Sequence, residues 1–389
     1  MPSNERENQR IEHKKQKEKK AKRIIWIALF VVLAVLLVLK VCEIDFADIK
    51  NRINSLSVAS AVSENNYPVT VNVSNGENIH LVNGKLYALN ESSVVSVDPA
   101  SASQSYTFDH GYASPVFKSN GNYTCLFDRG GTRLRLDTTS EELYEKSFDK
   151  SIITADVAKN GTIACALFSD EAKSRIVVLN KNENKKLDYN VKDGYVTYVA
   201  LNQNASLLAY TSVNSKNAFL TTTVHILNIG SGEDEFTLEY DKSNIIDLRF
   251  NDSGNLYVLG DDFLSVIKSQ KKEEVVFKKG SISTINYCYT SSNELVINYS
   301  GFNKSSKSKV AYIKSNGKVK SSFSIKGEAK SISSSSNEIT VLLPQKICIY
   351  SLTKGEKKES IPCDSSVNSA VKASSRVYVQ YGQYIDVAK

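Results

Sequence analysis

The stretch VYVQYGQYIDVAK, from Val377 to Lys389, contains two strand-like runs separated by a short polar turn. Both runs are rich in the β-branched and aromatic residues that favour strands. Seven earlier segments contain the same two runs and then a third, more polar run, which is missing here. The missing run decides the fold, because a sheet that lacks its outer strand has an unpaired edge that another segment must cover.

Eight segments share one pattern, in which a polar turn signal is followed at once by a β-rich run. The repeats average about 40 residues, within the ~40–45 expected for a four-stranded propeller blade. The eight turn signals are Asn83-Gly84, Asn120-Gly121, Asn160-Gly161, Gln203-Asn204, Ser253-Gly254, Ser292-Asn293, Ser336-Asn337 and Ser374-Ser375.

One strand-like run precedes the first repeat and belongs to none of them: YPVTVNV, from Tyr67 to Val73. Pairing this run with the eighth repeat closes a ring. The sequence therefore predicts an all-β fold, an eight-bladed β-propeller over residues 67–389 that is closed by strand 67–74. A seven-bladed propeller with one repeat split in two is the alternative, and an array of β-sandwiches would not repeat so evenly.

The N-terminal segment predicts a membrane anchor. Residues 24–39 carry no charge or helix breaker, and the apolar run extends past Lys40 to Cys42, about 28 Å of helix against a hydrocarbon core of about 30 Å. Residues 24–42 are thus predicted to contact the lipid bilayer as a signal-anchor helix. A cleaved signal peptide is the rival interpretation, although no small-x-small cleavage site follows the run.

The charge distribution predicts the topology. Residues 1–42 hold ten Lys and Arg against four Glu, whereas the remaining chain is balanced at 39 against 38. The positive-inside rule then places the basic tail 1–23 in the cytoplasm, and a stalk 43–66 and the propeller on the outer side of the cell membrane. The tail could also recruit anionic lipid. Because the basic excess is confined to this tail, a nucleic-acid partner is excluded.

A distinctive turn, Phe127-Asp128-Arg129-Gly130-Gly131, lies in the second repeat. With this turn and its order of short tail, anchor and outer propeller, the chain resembles an uncharacterised family of Gram-positive bacterial single-pass membrane proteins. The resemblance covers nearly the whole length. It implies an extracytoplasmic propeller and no known activity.

Four repeats end their last strand with an acid before a turn: Asp109, Asp149, Asp193 and Asp241. In a propeller these links share one face with the links between second and third strands, so the acids could surround a site for a cation or a polar ligand. Alternatively, each carboxylate caps its own turn without any ligand.

The links between second and third strands are longest in repeats four and six, residues 213–222 and 301–308. They place Phe219 and Phe302 on the same face, where they form either a binding surface or polar insertions without a partner. With Asp128 and Arg129 and the four acids, these two aromatics complete the candidate set for binding a partner or ligand.

The cysteines suggest one disulfide at most. Cys125, Cys165 and Cys288 lie in apolar runs and are predicted to be buried. Cys348 and Cys363 lie symmetrically about the turn at residues 354–357, so they are expected to face each other across a hairpin and could form a disulfide. The sequence contains no C-x-x-C pair, so the cysteines do not indicate a metal site.

Catalytic signals are weak. The four histidines are dispersed, so neither a metal cluster nor a triad is indicated, and His110 beside Asp109 is the nearest to a general base. Propeller dehydrogenases with a quinone cofactor normally use tryptophans, and the only Trp, Trp26, lies in the anchor. No cofactor is therefore expected. The sequence favours a non-enzymatic binding or scaffold module with an envelope protein or glycan partner. The alternative is an envelope hydrolase or lyase with carboxylates at the propeller channel.

Overall fold

A computed structural model describes residues 66–71, 79–216, 219–269, 271–301 and 307–388. These residues form 32 strands in eight four-stranded antiparallel sheets. The predicted tail 1–23, the predicted anchor 24–42 and all of the predicted stalk except Asn66 lie outside the described residues.

The first four blades follow a short initial strand, β1 (Val69–Thr70). Blade 1 contains β2 (His80–Val82), β3 (Lys85–Leu89), β4 (Ser93–Val97) and β5 (Gln104–Asp109). Blade 2 contains β6 (Pro115–Asn120), β7 (Tyr123–Asp128), β8 (Arg133–Thr138) and β9 (Glu142–Ser147). Blade 3 contains β10 (Ile152–Val157), β11 (Ile163–Leu167), β12 (Ser174–Leu179) and β13 (Lys185–Val191). Blade 4 contains β14 (Tyr195–Leu201), β15 (Leu207–Lys216), β16 (Phe219–Asn228) and β17 (Glu233–Asp241).

The second half repeats this plan. Blade 5 contains β18 (Ile245–Phe250), β19 (Leu256–Gly260), β20 (Leu264–Ile267) and β21 (Glu273–Phe277). Blade 6 contains β22 (Ile282–Tyr289), β23 (Leu295–Gly301), β24 (Lys307–Ile313) and β25 (Val319–Lys326). Blade 7 contains β26 (Ser331–Ser335), β27 (Glu338–Leu343), β28 (Lys346–Ser351) and β29 (Lys357–Pro362). Blade 8 contains β30 (Val367–Ala373), β31 (Arg376–Tyr381) and β32 (Tyr384–Val387).

The fourth strand of blade 8 is β1, so the sheet order is β30-β31-β32-β1. Val69 lies opposite Ile385 and Thr70 opposite Tyr384, and the amide of Val71 donates to the carbonyl of Gln383 at 2.9 Å. The eight-bladed prediction and the closure by an N-terminal strand are confirmed, and the seven-bladed alternative is wrong. Within the described residues the closing strand is shorter than the predicted 67–74.

The hydrophobic core is divided among the blade interfaces. Eight clusters of buried apolar side chains occur, and each lies between two neighbouring blades. At the seam between blades 8 and 1, Val69 and Val71 pack with Leu86, Tyr378 and Ile385. The closing strand therefore contributes to the core as well as to the sheet.

The turn between the first and second strand of each blade explains the repeated sequence signal. Each of these eight turns contains at least one residue with positive φ, a conformation in which glycine and short polar residues are favoured. The residues are Asn83 and Gly84, Gly121, Gly161, Ala205, Gly254, Asn293, Ser336 and Asn337, and Ser374.

The first strand of each blade contacts the first strand of at least one neighbouring blade, and these strands surround the channel. We define the turn face as the side with the first-to-second and third-to-fourth strand links. The loop face is the opposite side, with the second-to-third strand links and the links between blades. The chain enters the propeller on the turn face, where the side-chain amide of Asn66 donates to the carbonyl of Ser101 at 3.0 Å and the hydroxyl of Tyr67 donates to the carbonyl of Pro99 at 3.1 Å.

Across the described ranges, no helix combines the length and the hydropathy needed to cross a bilayer.

Candidate functional site

The four predicted acids lie on the loop face at successive blade boundaries. Asp109 is exposed at the end of β5. Asp149 forms an ion pair with Arg175 at 3.4 Å, Asp193 accepts from the side-chain amide of Asn214 at 2.7 Å, and Asp241 accepts from the hydroxyl of Thr221 at 3.2 Å. Three of the acids therefore bond to other protein side chains, and the described part of the chain contains no cluster of three or more metal-ligating side chains.

The Phe127-to-Gly131 turn fastens blade 2 to blade 3. The amide of Gly130 donates to the carbonyl of Ile152 at 2.8 Å, and the amide of Ile152 donates back to Gly131 at 2.7 Å. The Asp128 carboxylate accepts from the amide of Ser114 at 2.8 Å. These backbone contacts give the turn a structural role, while the Arg129 side chain remains exposed on the loop face.

Arg129 also influences a tyrosine on the first strand of blade 4. Burial raises the pKa of Tyr198, the Asp247 carboxylate adds to the effect, and the Arg129 charge opposes it. Arg129 is thus electrostatically coupled to a channel strand two blades away.

Blade 4 has a long hairpin in place of the predicted loop. β15 and β16 remain paired from Leu207 opposite Asn228 to Lys216 opposite Phe219. Cross-strand pairing therefore continues through most of residues 213–222. The other predicted aromatic, Phe302, lies outside the described residues.

Four large apolar side chains are exposed on the loop face of blades 3 and 4. The exposed fractions are 49% for Phe168, 52% for Tyr195, 52% for Phe219 and 65% for Leu220. We call these four residues the loop-face patch. Phe168 directly follows β11 and Tyr195 begins β14, so both lie at strand ends on this face.

A lysine ammonium lies over each of two aromatic rings of the patch, Tyr195 and Phe219. The Lys173 ammonium lies 5.4 Å from the ring centre of Tyr195, and the Lys242 ammonium lies 3.8 Å from that of Phe219. The amide of Lys242 also donates to the carbonyl of Leu220 at 3.1 Å. The patch therefore combines exposed apolar surface with positive charge on the loop face of blades 3 and 4.

The predicted facing of Cys348 and Cys363 is wrong. Cys348 lies opposite Ser360, with its sulfur 3.7 Å from the Ser360 hydroxyl, and Cys363 lies beyond the end of β29. The hairpin turn is centred before the predicted position, and the one-residue bulge between Ile349 and Tyr350 is too small to compensate for this offset. Both cysteines are free thiols.

His110 is occupied by backbone contacts. Its Nδ1 accepts from the amide of Tyr112 at 3.0 Å, which leaves Nε2 as the protonated nitrogen that donates to the carbonyl of Asn90 at 3.1 Å. Burial lowers the pKa of His110. Since both ring nitrogens are bonded, the nearest candidate for a general base in the sequence has a structural role.

A Ser-His-Asp arrangement, not apparent in the sequence, occurs in blade 4. The Ser212 hydroxyl lies 3.0 Å from Nε2 of His225, and Nδ1 of His225 lies 3.1 Å from the Asp234 carboxylate. However, Ser212 is only 2% exposed, and a Cβ atom placed on Gly194 would lie 3.0 Å from the Ser212 Cβ. Because Ser212 is buried, the arrangement joins three strands and does not present a nucleophile at the surface.

Two buried carboxylates lie on the channel strands, as the hydrolase alternative would require. Asp156 bonds to the Arg249 guanidinium at 3.3 Å and accepts from the amide of Leu201 at 2.9 Å. Asp247 accepts from the Tyr289 hydroxyl at 2.8 Å. Each carboxylate is therefore held by protein partners, which accounts for its burial without a substrate.

Comparisons with known proteins identify the fold and a family. A family model described as "Family of unknown function (DUF5711)" matches residues 82–389. The fold is similar to the C-terminal WD40 domain of Sif2, with a TM-score of 0.56 and 13% identity over 85% of this chain and 99% of that chain. It is also similar to Sqt1 from Saccharomyces cerevisiae, with a TM-score of 0.54 and 11% identity over 82% of this chain and 98% of that chain. These identities show the fold alone, and no curated protein matches the sequence significantly.

Proposed function

Because the chain belongs to the DUF5711 family, a family of unknown function, we propose its role from the propeller surface: it is a binding or scaffold module that contacts a protein partner through the loop-face patch. The observation that carries this proposal is the grouping of Phe168, Tyr195, Phe219 and Leu220 on one face of two adjacent blades. Exposed apolar groups that are concentrated on a rigid scaffold are typical of interaction sites.

The chemistry of the patch favours a protein over a glycan. Tyrosine and phenylalanine act as anchors at protein interfaces and can also stack on sugar rings. Leu220 offers no flat ring to a sugar, and it is the most exposed large apolar side chain among the described residues. A partner with apolar side chains and some negative charge would cover Leu220 and the rings while facing Lys173 and Lys242.

We further propose that the propeller is tethered to the cell membrane by residues 24–42, with the tail 1–23 in the cytoplasm and the propeller outside. The support is the uncharged run 24–39 and the basic residues that precede it. The chain enters the ring on the turn face, so the proposed tether is attached to the face opposite the patch.

Site-specific photo-crosslinking in native membranes tests the binding proposal. A photoreactive amino acid replaces Phe219 in the full-length protein, and a matched variant carries it at Val275, which is 54% exposed on the outer strand of blade 5. We expect a discrete protein adduct from position 219 and none from position 275. In the 219 variant, the additional substitutions Phe168→Ser and Tyr195→Ser should remove most of the adduct.

Two results would overturn the proposal. Equal adducts from both positions, or no adduct from either, would show that the patch has no preferred partner. An adduct that resists protease but is removed by a glycan hydrolase would assign the surface to a glycan instead.

A further inference from the structure

A network of polar side chains crosses the channel at its turn-face end. Arg249, on the first strand of blade 5, bonds to Asp156 of blade 3 at 3.3 Å and to the carbonyl of Ser119 of blade 2 at 3.2 Å. Its Nε and Nη2 atoms donate to the Asn293 carbonyl oxygen of blade 6 at 3.0 and 2.8 Å. One guanidinium thus joins four blades.

Neighbouring side chains extend the connection. The Asn293 amide donates to the Asn120 side chain of blade 2 at 3.3 Å and to Asp252 of blade 5 at 3.0 Å. Lys159 of blade 3 bonds to the Asp252 carboxylate at 2.5 Å and to the carbonyl of Ser291 of blade 6 at 3.0 Å. Blades 2 and 6 are opposite one another in an eight-membered ring, so these contacts span its full width.

The central ion pair is well protected from water. The side chains of Arg249 and Asp156 are 12% and 6% exposed. Burial raises the pKa of Asp156, and the Arg249 charge is the largest opposing effect. A buried charge destabilises the fold when it loses its partner. Removal of either group should therefore destabilise the blades on both sides of the channel.

We propose that Asn120, Asp156, Lys159, Arg249, Asp252 and Asn293 form a cross-channel brace that couples blades 2 and 3 to blades 5 and 6 and fixes the width of the ring. The contacts between neighbouring blades follow the circumference, and in the described part of the chain the register of the seam strand β1 comprises two residue pairs. The brace supplies connections across the diameter, which neither the sheets nor the interface clusters provide. It is distinct from the loop-face patch and does not depend on a partner.

Hydrogen exchange of the full-length protein tests the brace. In Arg249→Met, we expect amides of β6 and β10, across the channel, to exchange at least about tenfold faster, together with those of β18 and β22. The control is Arg135→Met. Arg135 is 10% exposed and pairs with Asp137 inside blade 2, so it is comparably buried but does not reach the channel.

The Arg135→Met variant should accelerate exchange in blades 1 and 2 and leave β18 and β22 unchanged. Arg249→Lys, which keeps the charge and loses the fork of donors, should give an intermediate effect and serves if Arg249→Met fails to fold. If either Arg249 variant accelerates exchange in blade 5 alone, Arg249 is a local packing residue. If exchange accelerates equally in all blades, Arg249 contributes only to global stability. Either result refutes the brace.

Discussion

The two faces of the propeller use polar and apolar side chains in opposite ways. On the turn face, charged groups such as Asp156 and Arg249 are buried and bonded to one another across the channel. On the loop face, apolar groups such as Phe219 and Leu220 extend into solvent. A buried charge destabilises the fold unless bonded partners compensate it. An exposed apolar side chain does not contribute the stability that its burial would provide.

This difference indicates a division of labour between the faces. Changes on the turn face should affect the stability of the ring, because its tight turns, the seam and the cross-channel contacts lie there. Changes in the loop-face patch should affect binding and leave stability nearly unchanged.

The largest effect is expected from removal of the closing strand. Deleting residues 1–71 removes Val69 and Val71 from the seam and leaves the edge of β32 unpaired. Burial of two valines alone contributes about 3–6 kcal/mol, a large fraction of the stability of a typical domain. We expect the deletion variant to lose cooperative unfolding in urea and to be cleaved rapidly by protease.

The matched control is deletion of residues 1–42, which keeps the closing strand. This variant should be soluble and should unfold cooperatively. A protease-sensitive 43–389 fragment, or a stable 72–389 fragment, would contradict closure by β1.

A smaller effect is expected at the turn-face turns, where two glycines have nearly the same backbone. Gly161 and Gly254 have φ values of +78° and +77°. A Cβ atom on Gly161 would lie 2.7 Å from the Tyr123 ring, whereas a Cβ atom on Gly254 would have no neighbour within 4 Å. We expect Gly161→Ala to lower the free energy of unfolding by about 2–3 kcal/mol and Gly254→Ala by about 1 kcal/mol.

Urea denaturation of both variants measures the difference. Backbone strain is common to the two sites, so the excess at Gly161 reports the steric contact with Tyr123. Equal losses would show that the Tyr123 side chain moves away without cost. The turn face would then be less tightly packed than the 2.7 Å contact indicates.

The sequence revealed the second and third strands and the turns between first and second strands, because these features are local. The β-rich runs lie in the blade interior, and their turns require positive φ. First strands were less visible because one side of each faces the channel and is often polar. β26, Ser331-Ile-Ser-Ser-Ser335, resembles a loop in sequence, yet its serine hydroxyls bond to β30, as in the contact between Ser333 and the carbonyl of Ala370 at 2.9 Å.

The proposed binding surface is only partly predictable from the sequence for a related reason. Phe219 was expected on the loop face because its link is long, but Phe168 and Tyr195 are single aromatics at strand ends. Their exposure becomes apparent only when the strands are assigned to blades. Arg249 and Asp156 are 93 residues apart in sequence, so their contact depends on ring closure, which no local pattern encodes.

A pH-dependent effect of intermediate size is expected between the two faces, at His80 on the first strand of blade 1. The ring centres of His80 and Phe117 lie 5.3 Å apart. Burial, with the nearby Lys118 charge, lowers the pKa of His80 from 6.5 to about 4. The folded protein therefore favours the neutral form of His80 over the protonated form. The stability linked to neutral His80 is fully present above pH 6.5 and is lost as the pH falls from 6.5 to 4.

The loss is expected to be about 2 kcal/mol, reduced from the full value of the shift because the side chain is partly exposed. Urea denaturation at several pH values, compared between the natural protein and His80→Gln, isolates this contribution from that of the carboxylates. Parallel curves for the two proteins would show that His80 is not coupled to folding.

The smallest effect is expected in the loop-face patch. Leu220 and Leu227 lie on the same strand, β16, but Leu220 is 65% exposed and Leu227 is fully buried. We expect Leu220→Ser to change the free energy of unfolding by less than about 0.5 kcal/mol, and Leu227→Ser to lower it by about 3 kcal/mol or more. Urea denaturation again measures both. If Leu220→Ser were as costly as Leu227→Ser, the patch would belong to the packed core, and the contrast between a stabilising turn face and a binding loop face would no longer hold.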